Sequence, residues 1–369
     1  MSFTEQASTL DATELALGGA ITLGFVGGLF VLSRIVPGKE LQGAELADGS
    51  RLTYRLNGLN IFLVLLAGLG LAQLAGLRPL AALHEHFVST WIGANVLSIV
   101  MSLWLWRSGL AKKDAKRGSG PLGWLSELWY GVELNPALWG VDIKMFSYRP
   151  SLMGLFALNA SFAAVQYEQL GTLTTAMMLY QAFTFVYVLN YFQFEHGMLF
   201  TWDIVAERFG FMLVWGDYAF VPFCYSVVGW YLVDQPDVLP AWAGVALTCS
   251  FLLGLWIFRG ANQQKDEFKR DPKKAIWGKT PETLGGRILV SGFWGIGRKL
   301  NYTGEILVYW SFSLLAGFDS FVPFLLPTWL LCLLIHRAWR DEQRCRQKYG
   351  ALWDAYCQRA RFRMIPFVY

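Results

Sequence analysis

The chain has 369 residues, 54% of them hydrophobic and only 16% charged, with a mean hydropathy of +0.37. Globular domains average about a quarter charged residues, so this composition marks a polytopic membrane protein, long enough for one helical domain of roughly eight to ten spans. The net charge of +4 is modest, and the basic loops lack the interleaved aromatics and soluble context of a nucleic-acid binder.

The N-terminus, MSFTEQASTLDATELA, has no basic region ahead of an apolar run, so no cleavable signal is expected. The first apolar run covers 15–36 and is stopped by Arg34 and Pro37. Its glycine pairs, Gly18-Gly19 and Gly27-Gly28, predict close helix contact. A polar loop, KELQGAELADGSRLTYRLNG, follows. Further spans are predicted over 59–77, 91–106, 151–165, 173–192, 210–233 and 239–258. A polar loop of 22 residues, ANQQKDEFKRDPKKAIWGKTPE, comes next, and then the short Gly-broken piece LVSGFWGIG. The run 305–335 is too long for one span and is broken by Pro323 and Pro327, which predicts two helices in a tight hairpin. The expected fold is therefore all-α and polytopic. It forms one domain over 1–369, with the N-terminal helices over 15–258 and a C-terminal half over 259–369. The positive-inside rule puts the loops bearing Lys39, Arg51 and Arg55, then Arg107, Lys112, Lys113, Lys116 and Arg117, then 265–274 and the C-terminal tail, on the cytosolic face.

Polar residues near membrane depth carry the functional signal, because each is costly unless paired or used. Lys265 and Lys269 are four apart and share a helical face, although an ordinary basic loop looks the same. Residues 291–305, SGFWGIGRKLNYTGE, combine glycines that let backbone approach a ligand, a Trp294 stacking face, and donors from Arg298, Asn301 and Tyr302. No GxGxxG and no βαβ unit surround them, which excludes a Rossmann domain. In the closing stretch 336–369, Arg337, Asp341, Cys345 and Lys348 share one helical face, flanked by Arg344 and Tyr349. This is the pattern of an anion-pocket wall, or of a basic helix lying on lipid. Together the three segments fit a phosphorylated nucleotide bound from the cytosol without a Rossmann fold. Glu195, Asp203, Glu207 and Asp217 would cap, pair with arginines or line a pocket. Tyr187, Tyr191 and Tyr225 lie in or near spans. His84, His86, His196 and His336 form no metal-binding pair, and the five cysteines are scattered with no CxxC, so neither a metal site nor a disulfide framework is expected.

Seven segments in order resemble the sterol reductase family, which comprises the C-14, C-7 and C-24(28) reductases and the reductase-like domain of the lamin B receptor. They are DGSRLTYRLNG, GVELNPALWGVDIKMF with RP, LFTWDI with FGFML, GDYAFVPFCYS, NQQKDEFKRDP, SGFWGIGRKLNYTGE, and RDEQRCRQKYGALWDAYC closing in RMIPFVY. The resemblance implies about ten transmembrane helices and NADPH-dependent reduction of a sterol carbon–carbon double bond. It also implies a cofactor pocket in the C-terminal half, open to the cytosol. By motif, Lys265 and Lys269 would sit near the cofactor phosphates. Leu289, Trp294, Asn301 and Tyr302 would line the nicotinamide–adenine cleft, and Arg337, Asp341, Cys345 and Tyr349 would complete it. Asp341 would be the acid, with Tyr187 as the tyrosine working with it. The chain departs from the family pattern at Lys269, where arginine is common. AERFGF stands for His-Asp-Gly-Phe-Gly-Phe, and LFTWDI for Leu-Thr-Thr-Met-Asp-Ile.

An unconjugated alkene accepts hydride only when protonated, which calls for an acid in a dry pocket where burial keeps a carboxyl protonated. An apolar cleft in the membrane suits a flat polycyclic substrate entering from the lipid. The membrane would be a bacterial inner membrane or the endoplasmic reticulum. The alternative is an isoprenylcysteine-carboxyl-type methyltransferase using S-adenosylmethionine, which would not need the Lys265/Lys269 pair. A third reading is a sterol-sensing scaffold without activity.

Overall fold

The computed structural model describes residues 3–46, 49–112 and 115–369. Asp48, where the DGSRLTYRLNG segment begins, and Lys113 of the basic loop lie outside the described residues. The chain divides into two compact units, Met1–Leu173 with Gln181–Asp234, and Thr174–Tyr180 with Gln235–Tyr369.

The first unit opens on α1 (Ala12–Ile35), whose N-cap Asp11 accepts the Glu14 amide at 2.8 Å. An antiparallel hairpin follows, β1 (Lys39–Glu45) with β2 (Arg51–Leu56). Helices α2 (Gly58–Leu74) and α3 (Pro79–Glu85) meet at a 94° bend, and α4 (Phe87–Gly109) returns along α1. The short strands β3 (Ala137–Leu138) and β4 (Val141–Asp142) lead into α5 (Ile143–Leu170), started by Asp142, whose carboxylate accepts the Met145 amide at 2.8 Å. Helix α6 (Thr175–Gln193) contains the boundary between the units. Helix α7 (Phe211–Leu232) widens to π-helical turns over Gly216–Cys224, around Pro222.

Of the four glycines expected to bring helices together, only Gly18 does so. A Cβ there would fall 2.2 Å from the Ser89 carbonyl carbon, whereas Gly19, Gly27 and Gly28 face nothing within 4 Å. Helix α5 is the centre of this unit. It buries Met153, Leu155 and Phe146 against Leu29, Ile61, Phe62, Val188 and Phe192. It also buries charge. Lys144 is fully buried and donates to the carbonyls of Ile204 and Glu207, both at 2.8 Å. Arg149 donates to Ser33 Oγ at 2.7 Å and the Arg55 carbonyl at 2.9 Å, and pairs with Glu195 at 3.3 Å. Glu195 also accepts the Gly58 amide at 3.0 Å. Such groups are tolerated inside because every one is paired.

The second unit is built on α8 (Ala241–Arg270), which runs unbroken through residues 258 and 259. A small hairpin, β5 (Thr283–Leu284) with β6 (Ile288–Leu289), and a turn at Phe293–Ile296 lead into α9 (Leu300–Leu314). Helix α10 (Leu325–Tyr349) is followed at Gly350 by α11 (Ala351–Arg359).

The chain is mainly helical, and among the described residues three two-stranded hairpins lie between the helices. The first of these occupies the segment read as a polar loop. Leu52, Tyr54 and Leu56 alternate along β2, and Tyr54 is buried in a small cluster with Leu199 and Ile204. The expected number of spans, about ten, is not reached by length and composition alone. Among the described residues, five helices are long and apolar enough to cross a membrane, or six if the bent α2–α3 pair counts as one. Helix α5 falls outside this set because it carries Lys144, Arg149, Asn159 and Gln166. Helix α6 is diluted by Gln181, Asn190 and its tyrosines. Helix α9, with 15 residues, is too short for a hydrocarbon core of about 30 Å.

Candidate active site

Nine of the ten sequence-predicted positions of the cofactor half gather around the polar ends of α8, α9 and α10; Lys269 lies one turn beyond, exposed at the end of α8. Two glycines allow α8 and α9 to meet. A Cβ on Gly254 would lie 2.8 Å from the Gly304 carbonyl oxygen, and one on Gly304 would lie 2.5 Å from the Phe258 amide nitrogen. The glycine of the TGE motif is thus a packing requirement that fixes the spacing of the two helices.

The Gly-rich turn is tied to α8. The Phe293 amide donates to Gln264 Oε1 at 3.0 Å. Gly292 has φ +59°, a backbone conformation that favours glycine, and a Cβ there would displace the same oxygen, 2.4 Å away. Trp294 is buried and held twice. Its Nε1 donates to the Ala261 carbonyl at 2.8 Å, and its own carbonyl accepts the Tyr356 hydroxyl at 2.9 Å. The Lys265 ammonium lies over the Trp294 ring, 4.6 Å from its centroid, a cation–π arrangement. Leu289 is buried beside Trp294 and Ile276, with Phe268 packed against them.

At the start of α9, Asn301 Nδ2 donates to Asn262 Oδ1 at 3.3 Å, while Asn301 Oδ1 is buried without a hydrogen-bond partner. Burial pushes the Tyr302 phenol up, opposed by the charges of Lys299 and Arg337.

On α10, Asp341 forms an ion pair with Lys299, whose side chain is buried, and Cys345 Sγ lies 3.8 Å from the same carboxylate oxygen. The sequence reading expected Asp341 as an acid in a dry pocket, working with Tyr187. Instead it is half of an ion pair, and its side chain is 29% exposed. Tyr349 stacks on Trp353, with ring centroids 6.4 Å apart, and takes the Arg287 guanidinium over its ring at 5.4 Å. Tyr187 belongs to the first unit, where it packs against the Leu29–Phe62–Phe192 core.

Arg298, read from sequence as a ligand donor, is committed elsewhere. It donates to the carbonyls of Ala360 at 2.7 Å and Arg361 at 3.1 Å, and pairs with the buried Glu342 at 3.3 Å. Glu342 also pairs with Arg363 at 2.5 Å, and Thr303 donates to the Met364 carbonyl at 2.7 Å. These bonds bind the tail, RFRMIPFVY, to α9 and α10. Lys299, Glu342 and Tyr356 were not singled out from sequence. The available signals were the second cation of the Arg298-Lys299 pair and the carboxylate beside Asp341.

The sequence pattern of the Ergosterol biosynthesis ERG4/ERG24 family matches residues 17–369. Among curated proteins the chain is similar to the Delta(14)-sterol reductase of Arabidopsis thaliana, at 40% identity over 92% of this chain and 93% of that protein. It is also similar to the Delta(14)-sterol reductase of Methylotuvimicrobium alcaliphilum, at 37% identity over 90% and 79%, and to the Delta(14)-sterol reductase TM7SF2 of Mus musculus, at 36% over 93% and 83%. A match across nearly the whole chain, including every segment that builds the site, assigns this multi-pass membrane protein to the ERG4/ERG24 family of sterol reductases.

Proposed function

We propose that the protein reduces the C-14 double bond of a sterol with NADPH, the substrate entering from the bilayer. The observation that carries this reading is the assembly in one unit of Lys265 over Trp294, the Lys299–Asp341 pair, and Asn301 with an unsatisfied acceptor. The residues fit a phosphorylated nicotinamide nucleotide. Lys265 and Lys269 supply cations for phosphate, and the buried Asn301 Oδ1 calls for an N–H donor such as a carboxamide or an exocyclic amine. Leu289, Trp294, Tyr302, Arg337, Cys345 and Tyr349 would form the remainder of the cleft. The cofactor would supply a hydride. The chain itself must hold the alkene away from water and protonate it, and Asp341 is assigned as that acid with Tyr187 as its companion. The same reading carries about ten spans and a cofactor site open to the cytosol. Family membership leaves the methyltransferase alternative without support.

The test is NADPH oxidation by the detergent-purified protein, against sterols differing only in double-bond position, with products followed by mass spectrometry. Consumption of the C-14 alkene alone is the expected result, and Asp341→Asn is expected to abolish turnover while NADPH still binds. Absence of NADPH binding and consumption would overturn the reading. Full turnover by Asp341→Asn would remove Asp341 from it.

A further inference from the structure

Lys299 is the N-cap residue of α9. It lies between the Gly-rich turn and α9, its side chain is buried, and its ammonium pairs directly with Asp341. The same ammonium lies 6.0 Å from the centroid of the Tyr302 ring. Its neighbour Arg298 points into the tail and meets Glu342, so the two consecutive cations serve different carboxylates. Burying a lysine solely to pair with a half-exposed carboxylate is a poor source of stability, because desolvation offsets most of the attraction. A working role explains its position better.

We infer that Lys299 is the positioning residue of the acid, holding Asp341 in place and storing the proton that Asp341 hands to the alkene. This rests on the assignment of Asp341 as the acid. The proton moves from Lys299 Nζ to Asp341 Oδ2 and on to one alkene carbon. The π electron pair forms that new C–H bond, and the hydride closes on the neighbouring carbon. The neutral Lys299 amine then takes a proton from water. One proton and one hydride are consumed for each double bond, and no further reductant is needed.

Other charged and titratable groups near Asp341 are Lys265 from α8, Tyr302 from α9, and Arg337, Arg344 and Cys345 from α10 itself. Lys265 sits over Trp294, and Arg344, three residues after Asp341 on α10, is exposed. The Lys299 ammonium pairs directly with Asp341 Oδ2, which positions it to pass that oxygen a proton.

The test compares Lys299→Met, Lys299→Arg and Asp341→Asn in the full-length protein, reading NADPH affinity by tryptophan fluorescence and kcat as a function of pH. Lys299→Met is expected to lower kcat near neutrality by about 100-fold or more. Its NADPH affinity should change by less than about threefold, since the pair stabilises the proton donor more than the bound nucleotide. The alkaline limb of kcat should move to lower pH by about 2 units, because the proton must then reside on Asp341 alone, so activity returns in acid. Lys299→Arg keeps the ion pair and should move the same limb to higher pH. An alkaline limb unmoved in both variants overturns the proposal. If Lys299→Met does not fold, the limb in Lys299→Arg decides by itself. Wild-type turnover in Asp341→Asn would instead refute the acid assignment, which keeps the two failures distinct.

Discussion

Substituting Gly304 by alanine should damage the site without touching any residue in it. The added Cβ would stand 2.5 Å from the Phe258 amide nitrogen and 2.6 Å from the Gly254 carbonyl oxygen, both backbone atoms that cannot rotate away. Relief to ordinary contact requires α8 and α9 to part by about 1 Å, and forced expansion of a packed interface costs about 1–3 kcal/mol. Helix α8 carries Lys265 and holds Trp294 through Ala261, whereas α9 carries Asn301 and Tyr302. Parting the helices therefore moves one half of the candidate cleft against the other. Misplacement by about 1 Å costs on the order of 100-fold in rate. Thermal unfolding in detergent, NADPH titration and turnover together form the assay. Gly19→Ala is the control, because nothing lies within 4 Å of that position. An unchanged melting temperature with kcat within twofold of wild type would refute the reasoning.

Three other outcomes follow from pairings in the fold. Removing Glu195 as Glu195→Ala leaves the buried Arg149 guanidinium without its carboxylate and should cost about 3–5 kcal/mol, read as lost thermal stability, whereas Arg149→Lys should be milder. Glu342→Gln weakens the link to both Arg298 and Arg363, so tail residues 360–369 should become sensitive to carboxypeptidase; unchanged resistance would contradict the clasp. Asp142 is raised by burial from 3.8 to about 6, so folding favours its protonated form. Its contribution to stability is complete below pH 3.8 and is lost as pH rises to about 6. Asp142→Asn keeps an acceptor for the Met145 amide and should flatten the stability profile over that window, measured by thermal unfolding between pH 4 and 7.

What the sequence determined by itself was which residues are available to the site. Hydropathy and the punctuation by Pro37, Pro323 and Pro327 located the apolar segments, since span length is a property of the local chain. Helical spacing placed Arg337, Asp341 and Cys345 on one face of α10 for the same reason. The hairpin at β1–β2 was also legible in the alternation of Leu52, Tyr54 and Leu56, but a short amphipathic strand resembles a polar loop until Tyr54 has something to bury against. Tertiary structure alone decided the pairings. Arg298 and Lys299 are adjacent and both cationic, yet one clasps the tail through Glu342 and the other meets Asp341, because consecutive residues at a helix start point in different directions. Gly18 admits a neighbouring helix and Gly19 does not, which depends on the direction from which α4 approaches. Periodicity records which side of a helix a residue occupies; which partner waits on that side is set by contacts tens to hundreds of residues away.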